Sequence, residues 1–173
     1  MTIETISVDT SRGVFTARAI GDREAPLVLL LHGFPDTPHP FDSLARRLAE
    51  SGLRAVAPFA RGYHPSPPFP EPNETNSSAF ETLSRDAAAI ISTLSPHHRA
   101  SIVGHDNGGF AAYYAMAQAP GRLARAVTMT AGHPAAVFRN TSKMPAQMWK
   151  SRYAMLLQIP KLSDWYAARQ GVH

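Results

Sequence analysis

Residues 102–112 read IVGHDNGGFAA. An apolar pair, Ile102 and Val103, runs into Gly104, His105, Asp106, Asn107, Gly108 and Gly109, and an alanine-rich stretch follows. Gly-x-Asp-x-Gly between an apolar strand and a helix describes a sharp turn. The flanking glycines let backbones approach closely, and the central residue is pushed into a strained conformation. This is the layout of a nucleophile elbow, with a carboxylate at its apex. Such a turn lifts Asp106 above the sheet, beside the N-terminus of the next helix, whose dipole favours an anion. The backbone N–H of Asn107 would face the same space. A second N–H, from Phe34 after His32-Gly33, would converge on it to form an oxyanion hole. The plainer alternative for Asp106 is a helix N-cap worth about 1 kcal/mol.

The flanking chain agrees with a strand-turn-helix setting. Residues 5–8 and 14–19 alternate as strands around the turn signal Ser11-Arg12-Gly13. Residues 25–31, APLVLLL, form a continuous apolar run suited to a strand buried on both faces of a parallel sheet. A helical spacing over 41–51 stops at Gly52, and residues 54–59 are again an apolar strand. Residues 63–72 hold five prolines and must be a loop. A helical pattern covers 78–94, a strand 100–103, a helix 109–119 and a strand 124–130. Past Pro134 the texture changes, with helices expected near 146–158 and 164–170. From residue 25 onward strands and helices alternate. The expected fold class is therefore α/β, a mostly parallel central sheet flanked by helices. The expected domains are a core over 1–135 and a helical segment over 136–173.

Composition bounds the rest. The chain has 173 residues, enough for one domain with a core, and no cysteine, which excludes disulfides and thiolate metal sites. Its N-terminus lacks a basic-then-apolar leader layout, and no apolar run is long enough to cross a bilayer, so the expected location is cytoplasmic and no membrane partner is expected. The net charge of +4 is confined to residues 136–173, which carry +5 against −1 for residues 1–135. That excess is diluted with no dense basic block, so no nucleic-acid partner is expected and a solvated helical face accounts for it. No cofactor and no metal are expected.

Asp in place of the usual serine changes the chemistry. A carboxylate with a reference pKa of about 3.9 is already ionised at neutral pH and needs no base to become a nucleophile. It attacks carbon bearing a leaving group, such as an epoxide or a carbon–halogen bond. The product is a covalent ester, which a histidine-activated water must then hydrolyse. The expected partner is accordingly a small apolar electrophilic substrate.

VLLLHGFPD (28–36), RGYHPSP (61–67) and IVGHDNGGFAA (102–112), in this order, resemble the α/β-hydrolase fold family and specifically its epoxide-hydrolase-like branch. MWKSRYAMLLQIP (148–160) is similar to the start of that branch's helical cap. The resemblance implies an α/β-hydrolase core, strands one to six only, plus the start of a helical cap. It implies Asp106 as nucleophile and the N–H groups of Phe34 and Asn107 as oxyanion donors. In epoxide hydrolases of this type a cap tyrosine five residues before a glutamine helps protonate the opening epoxide oxygen. Tyr153 stands five before Gln158, so the resemblance carries that role to Tyr153; packing the underside of the cap is its alternative.

Two departures matter. Epoxide hydrolases and haloalkane dehalogenases usually carry tryptophan after the nucleophile, and fluoroacetate dehalogenases arginine; here Asn107 stands there. Dehalogenation of small haloalkanes or haloacids is the alternative activity. The family also has two more strands, an acid and a histidine after the cap, whereas this sequence ends at His173. The other histidines offer no evident base: His32 would hold loop backbone, His133 lies at the end of the last strand, and the rest lie in loops or beside the nucleophile. The expectation is alkylation without efficient turnover by this chain alone, or an inactive half-domain needing a partner chain. The strand 124–130 would be an exposed apolar edge, open to self-association or to a partner chain.

Overall fold

A computed structural model of the chain describes residues 1–68, 79–140 and 145–150. The chain divides into two units, Met1–Ala131 and Gly132–His173; composition placed the boundary after residue 135.

The first unit is a six-stranded mixed sheet with helices on both faces. β1 (Glu4–Thr10) and β2 (Gly13–Ile20) form an antiparallel hairpin closed over Ser11 and Arg12. β3 (Leu27–Leu31) leads through a 3-10 turn at His39–Phe41 into α1 (Asp42–Glu50), and β4 (Arg54–Pro58) follows. α2 (Ala79–Leu94) precedes β5 (Ala100–His105), and α3 (Asn107–Gln118) precedes β6 (Leu123–Met129). The sheet order is β1-β2-β4-β3-β5-β6. β4-β3, β3-β5 and β5-β6 are parallel, while β2 pairs with both β1 and β4 antiparallel.

The apolar run at residues 27–30 has a two-sided burial because successive strand side chains point to opposite faces. Leu27 and Leu29 enter a core with Phe15, Ile90, Ile102 and Ala112, against α2 and α3. Val28 and Leu30 enter a second core with Phe41, Ala45 and Ala55, against α1. Each buried leucine contributes about 1.5–3 kcal/mol. The cores clamp β3 and β5 side by side, with Leu31 in register with Gly104, so the two strands end at one level.

Most bounds shift by a residue or two from the sequence pattern, and some shifts have a clear cause. α3 begins at Asn107 rather than at residue 109, because the Asp106 carbonyl accepts the N–H groups of Gly109 (2.9 Å) and Phe110 (3.1 Å) and closes the first turn on the elbow itself. β6 stops at Met129 because Thr130 takes φ +53°, a value that a β-branched residue rarely adopts and that ends the ladder. In the second unit, α4 (Pro134–Asn140) was not expected; Pro134 opens it, where a missing N–H is harmless. α5 (Pro145–Lys150) covers the start of the helix expected near 146–158, and the rest of that helix and the one expected near 164–170 lie outside the described residues. Among the described residues no helix is long and apolar enough to cross a membrane.

Candidate active site

The turn after β5 is an elbow in fact. Asp106 has φ 52° and ψ −117°, a conformation that favours glycine. Its neighbours make room for it. A Cβ on Gly104 would lie 2.2 Å from the Gly108 carbonyl oxygen, and one on Gly108 would lie 2.2 Å from the carbonyl oxygen of Leu31. The elbow therefore packs backbone on backbone, and glycine is required at both positions. On the other side the Asp106 N–H donates to the Met129 carbonyl at 3.1 Å, the last rung joining β5 to β6.

Asp106 occupies the N-cap position of α3 but makes no side-chain cap hydrogen bond. Its Oδ1 instead accepts the backbone N–H of Phe34 at 3.3 Å, from the loop after β3. Among the described residues Oδ2 has no hydrogen-bond partner. The carboxylate is thus held by one oxygen and presented by the other. Gly33 lines it so closely that an added Cβ would lie 2.5 Å from the Asp106 Cβ and 2.7 Å from Oδ1.

The Phe34 donor is itself held. Its N–H belongs to the same planar peptide as the Gly33 carbonyl. That carbonyl accepts two bonds, from His32 Nδ1–H at 2.9 Å and from the Asp36 N–H at 3.1 Å. The other ring nitrogen, His32 Nε2, accepts the Ala60 N–H at 2.9 Å. These partners fix the imidazole as neutral with its proton on Nδ1. Burial, the largest influence, holds its pKa below the usual histidine value, against the opposing pull of the Gly33 carbonyl and Asp36. His32 therefore holds loop backbone, as its place in His-Gly-x-Pro suggested.

The loop after β4 packs beside this assembly. Arg61 donates from Nε and Nη2 to both oxygens of buried Asp86 on α2, at 2.7 and 2.9 Å, and from Nη2 to the Arg12 carbonyl at 2.7 Å. Arg12 adds a third bond to Asp86 at 2.6 Å. Two residues on, Tyr63 sets its ring against His32, and its buried hydroxyl has no hydrogen-bond partner among the described residues. Desolvation first, then the charges of Asp106 and Asp36, push its pKa up to about 12, so the phenol keeps its proton. Sequence pattern could not reveal Asp86, since nothing local marks a residue that pairs across 25 and 74 positions.

The structure brings Asp106 and Phe34 together and sets Asn107 at the first position of α3, where helix N–H groups lack intrahelical acceptors. Tyr153 and His173 lie outside the described residues. His133 heads the turn into α4 in the second unit, its carbonyl accepting the N–H groups of Ala136 and Val137. Among the described residues no histidine hydrogen-bonds the Asp106 carboxylate, and no group of three or more histidines and carboxylates is placed to hold a metal ion.

Comparison with known proteins gives a consistent kinship. The model of the alpha/beta hydrolase fold family matches residues 26–165. The AB hydrolase superfamily protein YfhM of Bacillus subtilis is 29% identical over 157 residues, which cover 91% of this chain and 54% of that protein. Epoxide hydrolase 3 of Xenopus tropicalis is 33% identical over 148 residues, 84% of this chain and 38% of that protein. Among solved structures, the epoxide hydrolase VrEH1 from Vigna radiata superposes with a TM-score of 0.77 at 26% identity, over 97% of this chain and 54% of that one. The chain spans about half the length of such relatives or less. With its elbow and its mixed sheet, the chain belongs to the alpha/beta hydrolase fold family, on the epoxide-hydrolase-like branch.

Proposed function

We propose that this chain carries the alkylation machinery of an epoxide hydrolase, with Asp106 as the nucleophile. Oδ2 attacks an epoxide carbon, the carbon–oxygen bond breaks with its electron pair going to the ring oxygen, and an alkyl ester of Asp106 forms. The released alkoxide takes a proton, in this reading from Tyr153. The observation that supports the reading most is the division of labour on the carboxylate: Oδ1 bonded to the Phe34 N–H, Oδ2 without a partner among the described residues, both on a strained turn. In ester hydrolysis Oδ1 would become the oxyanion, and the N–H groups of Phe34 and Asn107 would receive its charge.

Hydrolysis also needs a base. None of the described histidines bonds Asp106, so the reading assigns the first step to Asp106 with Tyr153 and the base of the second to a group outside the described residues. The substrate class of this reading is a small apolar epoxide, whose electrophilic carbon must come within reach of Oδ2. The experiment is intact-protein mass spectrometry after incubation with styrene oxide, alongside assays of diol and halide release. The expected result is one epoxide added per chain, with little diol. Multiple-turnover diol release by the chain alone would reject the single-step assignment, and halide release from a haloacid without epoxide adducts would favour dehalogenation.

A further inference from the structure

Tyr63 lies outside every role given above, yet it touches the assembly that aims the Phe34 donor. Its ring centroid is 4.8 Å from that of His32 and the two planes meet at 87°, an edge-to-face contact. The loop thus grips one imidazole twice: Ala60 donates its N–H to Nε2 in the ring plane, and Tyr63 packs against the ring. The ring's remaining nitrogen holds the Gly33 carbonyl. Because Gly33 C=O and Phe34 N–H share one rigid peptide, rotating the imidazole swings the N–H that meets Asp106 Oδ1. The loop is braced in turn, since Arg61, between Ala60 and Tyr63, is tied to Asp86 by two bonds.

We propose that Tyr63 is a positioning residue for the nucleophile: its aromatic ring fixes the His32 imidazole, which fixes the peptide that donates to Asp106. The hydroxyl takes no part in this. Among the described residues it has no hydrogen-bond partner, and a phenylalanine ring would make the same contact. Asp36 is the charge that acts on His32, and Asp106 and Asp36 act on Tyr63; the two carboxylates sit on the loop after β3 and on the elbow. The functional half of this inference rests on the alkylation reading above, and its structural half does not.

The test compares the full native chain with Y63F, Y63L and Y63M. NMR of the His32 imidazole nitrogens gives its tautomer and titration, and mass spectrometry gives the rate of styrene oxide addition. In the native chain we expect a nuclear Overhauser contact between the two rings and a neutral imidazole protonated on Nδ1. Y63F should keep both within about twofold in rate and melt no lower than the native chain. Y63L or Y63M should let the His32 titration return toward its ordinary value and slow addition on the order of tenfold, the scale of a small misplacement of reacting groups. Unchanged His32 titration and rate in a folded Y63L or Y63M would overturn the proposal. So would a Y63F that slows addition as much as Y63L, which would assign the role to the hydroxyl, or a native chain without the ring-to-ring contact. If the native chain forms no adduct, the alkylation reading fails, while the NMR arm still decides whether Tyr63 holds His32.

Discussion

The Phe34 N–H meets Asp106 Oδ1 at 3.3 Å although 72 residues separate them. The meeting follows from β3 and β5 being parallel neighbours in register at Leu31 and Gly104, so that both chains leave the sheet at one edge. A carboxylate on this turn is strained and only half-buried, which suits a reacting group better than a structural one.

Two substitutions at this position should separate strain from chemistry. Asparagine tolerates positive φ, so D106N should keep the melting temperature within about 4 °C while adduct formation falls on the order of a thousandfold or more. D106G should abolish the adduct and melt higher, because relief of backbone strain is worth about 1 kcal/mol or more. Calorimetry and mass spectrometry check both.

Glycine replacements should act differently on either side of the carboxylate. In G108A the new methyl meets the Leu31 and His32 carbonyl oxygens, so the elbow must open and stability should fall by about 2 kcal/mol or more. In G33A the methyl meets the Asp106 side chain itself. That variant should remain folded by circular dichroism but lose alkylation rate by about tenfold or more.

The His32 imidazole is buried neutral and its pKa is lowered from 6.5. The unfolded chain therefore binds the proton first as pH falls. This contribution to stability is complete above the ordinary value of 6.5 and is lost as pH descends through it toward the lowered folded value. Protonation would also set a second N–H against the Ala60 donor. Thermal melts between about pH 5 and 8 should show this acid-side loss, and H32Q should flatten it at the expense of overall stability.

Helices and strands were legible where burial imposes a period. The alternation of Leu27 and Leu29 against Val28 and Leu30 follows from two-sided packing, and the glycines around Asp106 announced the elbow. What the pattern hid was set by contacts distant in sequence or by backbone geometry. The start of α3 was obscured because Gly108 and Gly109 are poor helix formers kept for close approach. The end of β6 depends on one backbone angle at Thr130. The Arg12–Asp86–Arg61 cluster joins the hairpin, α2 and the loop after β4, and no local spacing encodes it.

That cluster is central to stability. Asp86 is buried and answers two guanidinium groups, so D86A would remove one buried carboxylate from both and should cost about 3–5 kcal/mol. R12A should cost less, since Arg12 is a quarter exposed and Arg61 still pairs with Asp86. Urea denaturation of the two variants gives the comparison.

β6 lies at the sheet edge, with Val127 53% and Met129 37% exposed. An apolar edge strand invites pairing with another strand. Sedimentation should show concentration-dependent association of the chain, and V127K should suppress it without altering the circular dichroism spectrum.

Alkylation requires the Asp106 carboxylate to form a bond to carbon. Tandem mass spectrometry of peptides from the chain treated with styrene oxide tests this most directly. The expected product is a single ester on the Asp106 side chain, absent from D106N. An unlabelled peptide containing Asp106, or a label that persists in D106N, would contradict it.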